Sequence, residues 1–353
     1  MLNFLKRQSY LGVDIGTSSI KIVEIAKGKT KPELKNYGIL ESYGHLERIN
    51  NAIQTSSLKM SERDTSELLK NLLTHSKFST TEVIVSIPSF SAFITLLEMP
   101  KMSGAEIAKT MQYQISQYIP MPISEVSIDW LKVGERQDDQ GFVKDQILLI
   151  SVPNEIINKY KNIFRTAGLK LKALEVEGLS LTRAIASDDK TPTLVIDIGA
   201  RSTNIIVVDQ GALKYNYQAD FSGANLTQVL ASGLGINIRR AEQLKKEKGL
   251  LEGGGSEIST LMIPLLDAIL NEARRARNKY EQSFSNKIGK IILAGGGAKL
   301  LGIDKYIESQ FNVPVIICNP FSKVSYPPSI EPLIRELGPA FAVAIGLGIR
   351  EFV

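Results

Sequence analysis

The chain has 353 residues, 43% of them hydrophobic and 22% charged, with a formal net charge of +5 and a mean hydropathy near zero. That length buries a large core and suits two domains, and the mild basic excess does not by itself indicate nucleic acid. Cys318 is the only cysteine, which excludes an intrachain disulfide and suits a reducing compartment, and with only two histidines, His45 and His75, there is little material for a zinc site or a Cys/His dyad.

The opening MLNFLKRQSY lacks the apolar core of a signal peptide and reads as a frayed terminus, with contact to a membrane surface as the alternative for its first nine residues. No run reaches the ~18 apolar residues that would span a bilayer. Residues 10–15 and 20–26 predict two strands around a Gly-Thr-Ser-Ser turn, and 33–43 a third. Ser61 or Asp64 starts a helix within 61–78, and 81–88 is a strand ended by Pro88. From about 96 to 172 the pattern changes. A helix over 103–118 leads through the turn-like YIPMPISE to a strand near Val126–Val133, a polar hairpin loop (134–141), a strand (143–151) and a helix (154–167) closed by Gly168. This stretch is compact enough to be an inserted subdomain. Residues 174–186 are a short strand running into a helix, and SDDKTP (187–192) is a polar boundary. The second half opens with strands at 193–198, 204–209 and 212–218, followed by helices at 223–234, 237–248 and 257–283. KIILAGGGAKLLG (290–302) reads as strand, glycine turn and helix. VPVIIC (313–318) reads as a buried strand with Cys318 at its end, 314–332 as loop, and 338–350 as a closing helix. The basic stretches 239–249 and 274–279 read as solvated helix faces, with an anionic surface or ligand as the alternative.

One pattern occurs twice, half a chain apart: LGVDIGTSSIK (11–21) and LVIDIGARSTN (194–204). A phosphate chain needs backbone N–H groups within reach, small side chains and hydroxyl donors. Gly16, Thr17, Ser18 and Ser19 supply them in the first copy, and Gly199, Ala200, Ser202 and Thr203 in the second. Mg2+ binds one or two carboxylates beside phosphate oxygens, a role that suits Asp14 and Asp197. An aspartate at an ordinary hairpin turn is the alternative, and the duplication argues against it. Gly295, Gly296 and Gly297 follow a strand and precede a helix, where anions are favoured. Gly253, Gly254 and Gly255 lack a preceding strand and read as a flexible loop. Glu242 and Lys245 share a helix face, either to hold a ribose or as a plain surface pair. Glu177 sits at a strand–helix junction, to orient a water or only to cap the helix. No GxxxxGK[ST] loop is present.

LGVDIGTSSIK, LVIDIGARSTN, IILAGGGAKLLG and GPAFAVAIGLG, in that order, resemble the phosphate 1, phosphate 2, adenosine and connect 2 segments of the actin/Hsp70/sugar-kinase superfamily, and EVEGLSLTRAIA resembles connect 1. The resemblance implies an α/β actin-like fold: two ribonuclease-H-like halves, an inserted 1C-type subdomain and a nucleotide cleft for ATP and Mg2+. Within that superfamily, FLKRQSYLGVDIGTSSIKIVE, QYIPMPISEVSIDW, ILLISVPNEIINKYKNIFRTAGLKLKALEVEGLSLTRA and NVPVIICNPF are similar to the cell-division FtsA proteins and closer to the PilM family of type IV pilus assembly proteins. The ending GIREFV, without the linker and amphipathic tail of FtsA, favours PilM.

The implied subdomains are 1–95 as 1A, completed by 173–190 and 338–353, then 96–172 as 1C and 191–337 as 2A/2B. The implied nucleotide site comprises Gly16, Thr17, Ser18 and Lys21; Gly199, Ser202 and Thr203; Gly223, Asn225, Glu242 and Lys245; and Gly295, Gly296 and Gly297. Asp14 and Asp197 would hold Mg2+ through water, and Glu177 falls where the superfamily often places its water-orienting carboxylate. Arg201 departs from the pattern at a position usually small. PilM proteins act at the cytoplasmic face of the inner membrane, where they grip the cytoplasmic tail of PilN in a 1A/1C groove. The resemblance therefore implies a PilN-like peptide near Tyr113–Pro120 and indirect contact with PilO and PilP. Pilus motor ATPases and self-association are further expected contacts, with membrane contact only through a partner and no nucleic acid. ATP hydrolysis is expected to be weak or absent, with binding energy used for conformation. The alternatives are an FtsA-like filament-forming ATPase and a small-molecule kinase, for which no specific Asp motif supplies the base.

Overall fold

Two five-stranded sheets of one topology carry the chain, and a smaller sheet bridges them. The computed structural model describes residues 8–41, 61–138, 140–251 and 256–353. The expected terminus, the end of the third strand, His45 and the Gly253–Gly255 loop lie outside these residues. β1 (Ser9–Ile15), β2 (Ser19–Ala26) and β3 (Glu33–Glu41) form an antiparallel meander. Helix α1 (Glu62–Ser76) starts where Ser61 accepts a hydrogen bond from the Asp64 amide, a local cap that the sequence announces. β4 (Glu82–Ile87) then joins β1 in parallel.

The chain next builds the small sheet. β5 (Phe93–Pro100) is followed by α2 (Gly104–Gln114), which opens on a capping box between Ser103 and Glu106. β6 (Val126–Gln137) and β7 (Val143–Pro153) complete it in the order β5-β7-β6. Helix α3 (Asn154–Thr166) returns to the first sheet, burying Tyr160, Ile163 and Phe164 against Leu11, Val13 and Val85. β8 (Lys170–Val176) pairs with β4 to give the order β3-β2-β1-β4-β8.

Helix α4 (Glu177–Ile185) leads into the second half. β9 (Thr193–Ile198), β10 (Thr203–Asp209) and β11 (Ala212–Ala219) repeat the meander. Helices α5 (Gly223–Leu234), α6 (Ile238–Lys248) and α7 (Ser256–Phe284) follow. β12 (Lys290–Ala294), α8 (Ile303–Phe311) and β13 (Val315–Ile317) complete the order β11-β10-β9-β12-β13. Helix α9 (Ile334–Gly348) closes back onto β1 and β2. The central strands β1, β4 and β9 are almost wholly buried, which is why they read as continuous apolar runs.

Two contacts set the geometry between the halves. Helix α4 crosses α9 so closely that a Cβ on Gly346 would lie 1.9 Å from the Ser180 carbonyl oxygen. The bridging sheet shares its core with the second half: Leu148, Ile150 and Val152 pack with Val195, Ile206, Val208 and Leu213. In that seam the buried Lys214 ammonium donates to the Val133 carbonyl at 2.6 Å and to Gln146 Oε1 at 2.7 Å.

Several expectations need correction. The hairpin loop over 134–141 is shorter, because β6 keeps pairing with β7 as far as Gln137, with a register shift at Gly134. The glycine run 295–297 passes into a single 3-10 turn (Gly296–Lys299), and the α-helix waits until Ile303, after Gly302 at φ 79°. VPVIIC is an edge strand of three residues, half-exposed rather than buried, although Cys318 beside it is buried as expected. Residues 320–323 and 328–333 form two 3-10 turns, each with proline in its first turn. Among the described residues, no helix is long and apolar enough to cross a membrane.

Candidate functional site

The twin turns face each other across a cavity of about 740 Å³. Each turn is closed by the same hydrogen bond: the Gly16 amide donates to the Ser19 carbonyl at 3.0 Å, and the Gly199 amide to the Ser202 carbonyl at 3.0 Å. Each aspartate stands opposite one residue of the next strand, Asp14 opposite Lys21 and Asp197 opposite Asn204. Directly opposed residues project from the same face of an antiparallel pair. All four therefore line the cavity.

The two aspartates are partnered differently. Lys21 Nζ reaches Asp14 Oδ2 at 3.0 Å, and Ser86 Oγ donates to Asp14 Oδ1 at 3.1 Å. Within the described residues, no hydrogen bond or ion pair reaches Asp197. Burial, and then the Asp14 charge, push the Asp197 carboxyl up to about 7, with partial relief from Lys21. Glu177, the first residue of α4, is held well above the usual carboxylate range by burial, then by Asp14 and Asp197, against a hydrogen bond from the Ser89 backbone and the charge of Lys21. Burial alone would lower Lys21, but Asp14 outweighs it, aided by Asp197 and Glu177, and the ammonium is held above its ordinary value. The cleft floor thus carries three carboxyl groups against one buried ammonium, an arrangement that favours an added cation.

Helix α5 is anchored on the second turn: the Gly223 and Ala224 amides donate to the Gly199 and Ala200 carbonyls, each at 3.0 Å. Lys245 ties α6 to α5, with Nζ 2.9 Å from the Gly223 carbonyl, 2.7 Å from Thr227 Oγ1 and 2.6 Å from Glu242 Oε2. Burial holds the Lys245 ammonium below its ordinary value despite Glu242. Burial works to raise the Glu242 carboxyl, but Lys245 outweighs it and the group lies below its ordinary range. The pair faces the cavity, and it also braces two helices. Gly295 has φ 78°, and a Cβ there would meet Asp197 Oδ1 at 2.4 Å, whereas a Cβ on Gly296 would meet nothing within 4 Å. Gly296 is the open part of the cradle.

Of the site residues expected from sequence, all line the cavity except two. Thr203 is fully buried and its hydroxyl donates to the Phe221 carbonyl at 2.7 Å. Strand alternation explains this: Ser202 and Asn204 face the cleft, so Thr203 faces away. Asn225 serves the start of α5, its amide donating to the capping Ser222 hydroxyl. Arg201 does line the cavity, and burial lowers its guanidinium from the usual value. Lys299 and Glu336 also line the cavity and carry no sequence signal of their own. The residue that sequence reasoning passed over is Asn204. It is 4% exposed, and among the described residues neither its Nδ2 nor its Oδ1 has a hydrogen-bond partner. Its signal was the alignment of the two repeats, in which Asn204 takes the place of Lys21.

Among the described residues, no group of three or more His, Cys, Asp or Glu side chains could hold a metal ion alone. The orphaned Asn204 amide and the unpaired Asp197 nevertheless fit a hard cation that shares its coordination with phosphate oxygens and water.

The family model described as type IV pilus assembly protein PilM matches residues 12–352. The cell division protein FtsA of Enterococcus hirae is 24% identical over 356 residues, covering 88% of this chain and 78% of that protein. FtsA of Borreliella burgdorferi is 24% identical over 387 residues, covering 97% and 91%. Among solved structures, a PilM-PilN type IV pilus biogenesis complex matches with a TM-score of 0.82 at 24% identity, covering 98% of each chain. MreB5 of Spiroplasma citri bound to ADP matches with a TM-score of 0.56 at 14% identity, covering 96% of this chain and 94% of that one. The fold is actin-like.

Proposed function

The chain belongs to the PilM family of type IV pilus assembly proteins, and from that premise we propose that it is an ATP-binding scaffold of the pilus assembly platform. The observation that carries the nucleotide reading is the pair of matching glycine turns across a cleft floored by Asp14, Asp197 and Glu177. The phosphates would lie between the turns at Gly16–Ser18 and Gly199–Ser202, the ribose beside Glu242 and Lys245, and the adenine beside Gly295–Gly297. Mg2+ would be held on the Asp14 and Asp197 side and would supply charge neutralisation between carboxylates and phosphates. Glu177 is biased toward its protonated form by burial and its two acidic neighbours. Weak or absent hydrolysis is part of this reading, with binding energy used for conformation.

The partner in this proposal is a PilN-like cytoplasmic tail, bound beside the bridging sheet, with PilO and PilP reached indirectly and the inner membrane reached through that partner. Tyr113 on α2 and Ile123 are exposed apolar side chains suited to an extended apolar peptide. The core shared by the bridging sheet and the second half supports coupling, because it packs the two together. The test is calorimetric titration of the purified chain with a synthetic PilN-like tail, in the presence and absence of Mg-AMPPNP. Binding that changes severalfold with nucleotide supports the scaffold. Identical affinity in both conditions removes the coupling, and no binding in either removes the partner.

A further inference from the structure

The two halves of the cleft match in backbone but not in charge. Opposite Asp14 stands Lys21, which closes an ion pair, while Ser86 occupies the second carboxylate oxygen. Each Asp14 carboxylate oxygen therefore already has a protein partner. At the same register position in the second half, opposite Asp197, stands Asn204. An amide brings no charge, and among the described residues this one has no hydrogen-bond partner, although it is 4% exposed and lines the cleft. Leaving a buried amide unpaired is costly. It lies beside a carboxylate that also has no partner among the described residues. The two incomplete groups have compatible needs. Asp197 needs positive charge and Asn204 Oδ1 needs something to accept, and a hard cation coordinated by both oxygens satisfies them together.

We propose that Asp197 and Asn204 form the divalent-cation site of the cleft, and that Lys21 fills the equivalent place on Asp14 as a permanent internal cation. The inference rests on the reading of this cleft as a nucleotide site and deepens it. One divalent ion, on the second-half side, accompanies the phosphates, and Asp14 takes no direct part in holding it. Gly295 belongs to the same arrangement, because only a residue without a Cβ leaves Asp197 Oδ1 in position.

The experiment uses the full chain, Mn2+ as the metal and AMPPNP as the nucleotide. Bound Mn2+ is counted by electron paramagnetic resonance, and AMPPNP affinity is measured separately in EDTA. Asn204→Leu, close in volume and without an acceptor, should weaken Mn2+ binding to the AMPPNP-loaded protein by about tenfold or more, with a much smaller change in the EDTA measurement. Asn204→Asp should tighten Mn2+ severalfold. It keeps the shape of the native side chain and so carries the test should the leucine variant fail to fold. Mn2+ affinities equal to wild type in both variants would overturn the proposal and leave the amide serving only a bridging water. A wild-type chain that binds no AMPPNP, with or without Mn2+, would overturn the nucleotide reading itself.

Discussion

Replacing Asp197 by Asn should stabilise the ligand-free protein at alkaline pH. The carboxyl is pushed from an ordinary 3.8 to about 7 by burial and by the nearby Asp14 charge. A raised folded-state value means that the folded chain holds a proton which the unfolded chain releases near pH 4. This group therefore costs nothing at acidic pH, its cost grows as pH rises from about 4 to about 7, and it stays constant above that. At about 1.4 kcal/mol per pH unit the full difference is about 4 kcal/mol, and solvent reaching the group through the cleft reduces it to about 2 kcal/mol. Asp197→Asn keeps the shape and removes the charge. Urea unfolding at pH 5, 6, 7 and 8 should show the variant more stable than wild type by about 2 kcal/mol at pH 8, with the gap closing toward pH 5. In saturating Mg-AMPPNP the order should reverse, since only the wild type gains the ligand's contribution. A variant less stable than wild type at pH 8, or a gap that does not shrink on acidification, would refute the electrostatic description of the cleft floor.

Other consequences follow from the same geometry. Because Asp197 must lose a proton before it can hold a cation, Mn2+ affinity in the presence of nucleotide should rise with pH up to about 7 and then level off, as read by a resonance titration. Gly295→Ala places a methyl group 2.4 Å from Asp197 Oδ1 at φ 78° and should cost about 1–3 kcal/mol in urea unfolding, whereas Gly296→Ala has open space and should leave stability within about 0.5 kcal/mol. Arg183 binds the buried Glu175 carboxylate through two nitrogens at 2.7 and 2.8 Å and the Gly346 carbonyl at 2.8 Å, which ties α4 to α9. Arg183→Ala leaves Glu175 to Arg350 alone and should cost about 2–4 kcal/mol, seen as a lower urea midpoint.

What could be read from the sequence was local. The Asp-Ile-Gly turns declare themselves because phosphate-binding turns need small residues and hydroxyls in sequence, and the start of α1 is legible because Ser61 caps the helix it precedes. What escaped depends on partners distant in sequence. Whether Thr203 or Asn204 faces the cleft is a matter of strand parity, and one residue of phase exchanges the two faces. The importance of Asn204 appears only when its register opposite Asp197 is compared with that of Lys21 opposite Asp14. The glycine run 295–297 has the composition of a strand–turn–helix, yet Gly302 in the left-handed region postpones the helix by a turn. β13 reads as buried from VPVIIC, but its place at the sheet edge leaves Ile316 48% exposed.

The most direct test of the cleft is a single-turnover measurement on the purified chain with labelled Mg-ATP, following bound nucleotide and released phosphate in one sample. A nucleotide-holding scaffold predicts stoichiometric binding with negligible phosphate release over many minutes. Rapid release would contradict it and make Glu177 a working base, and no binding at all would remove the nucleotide from the cleft.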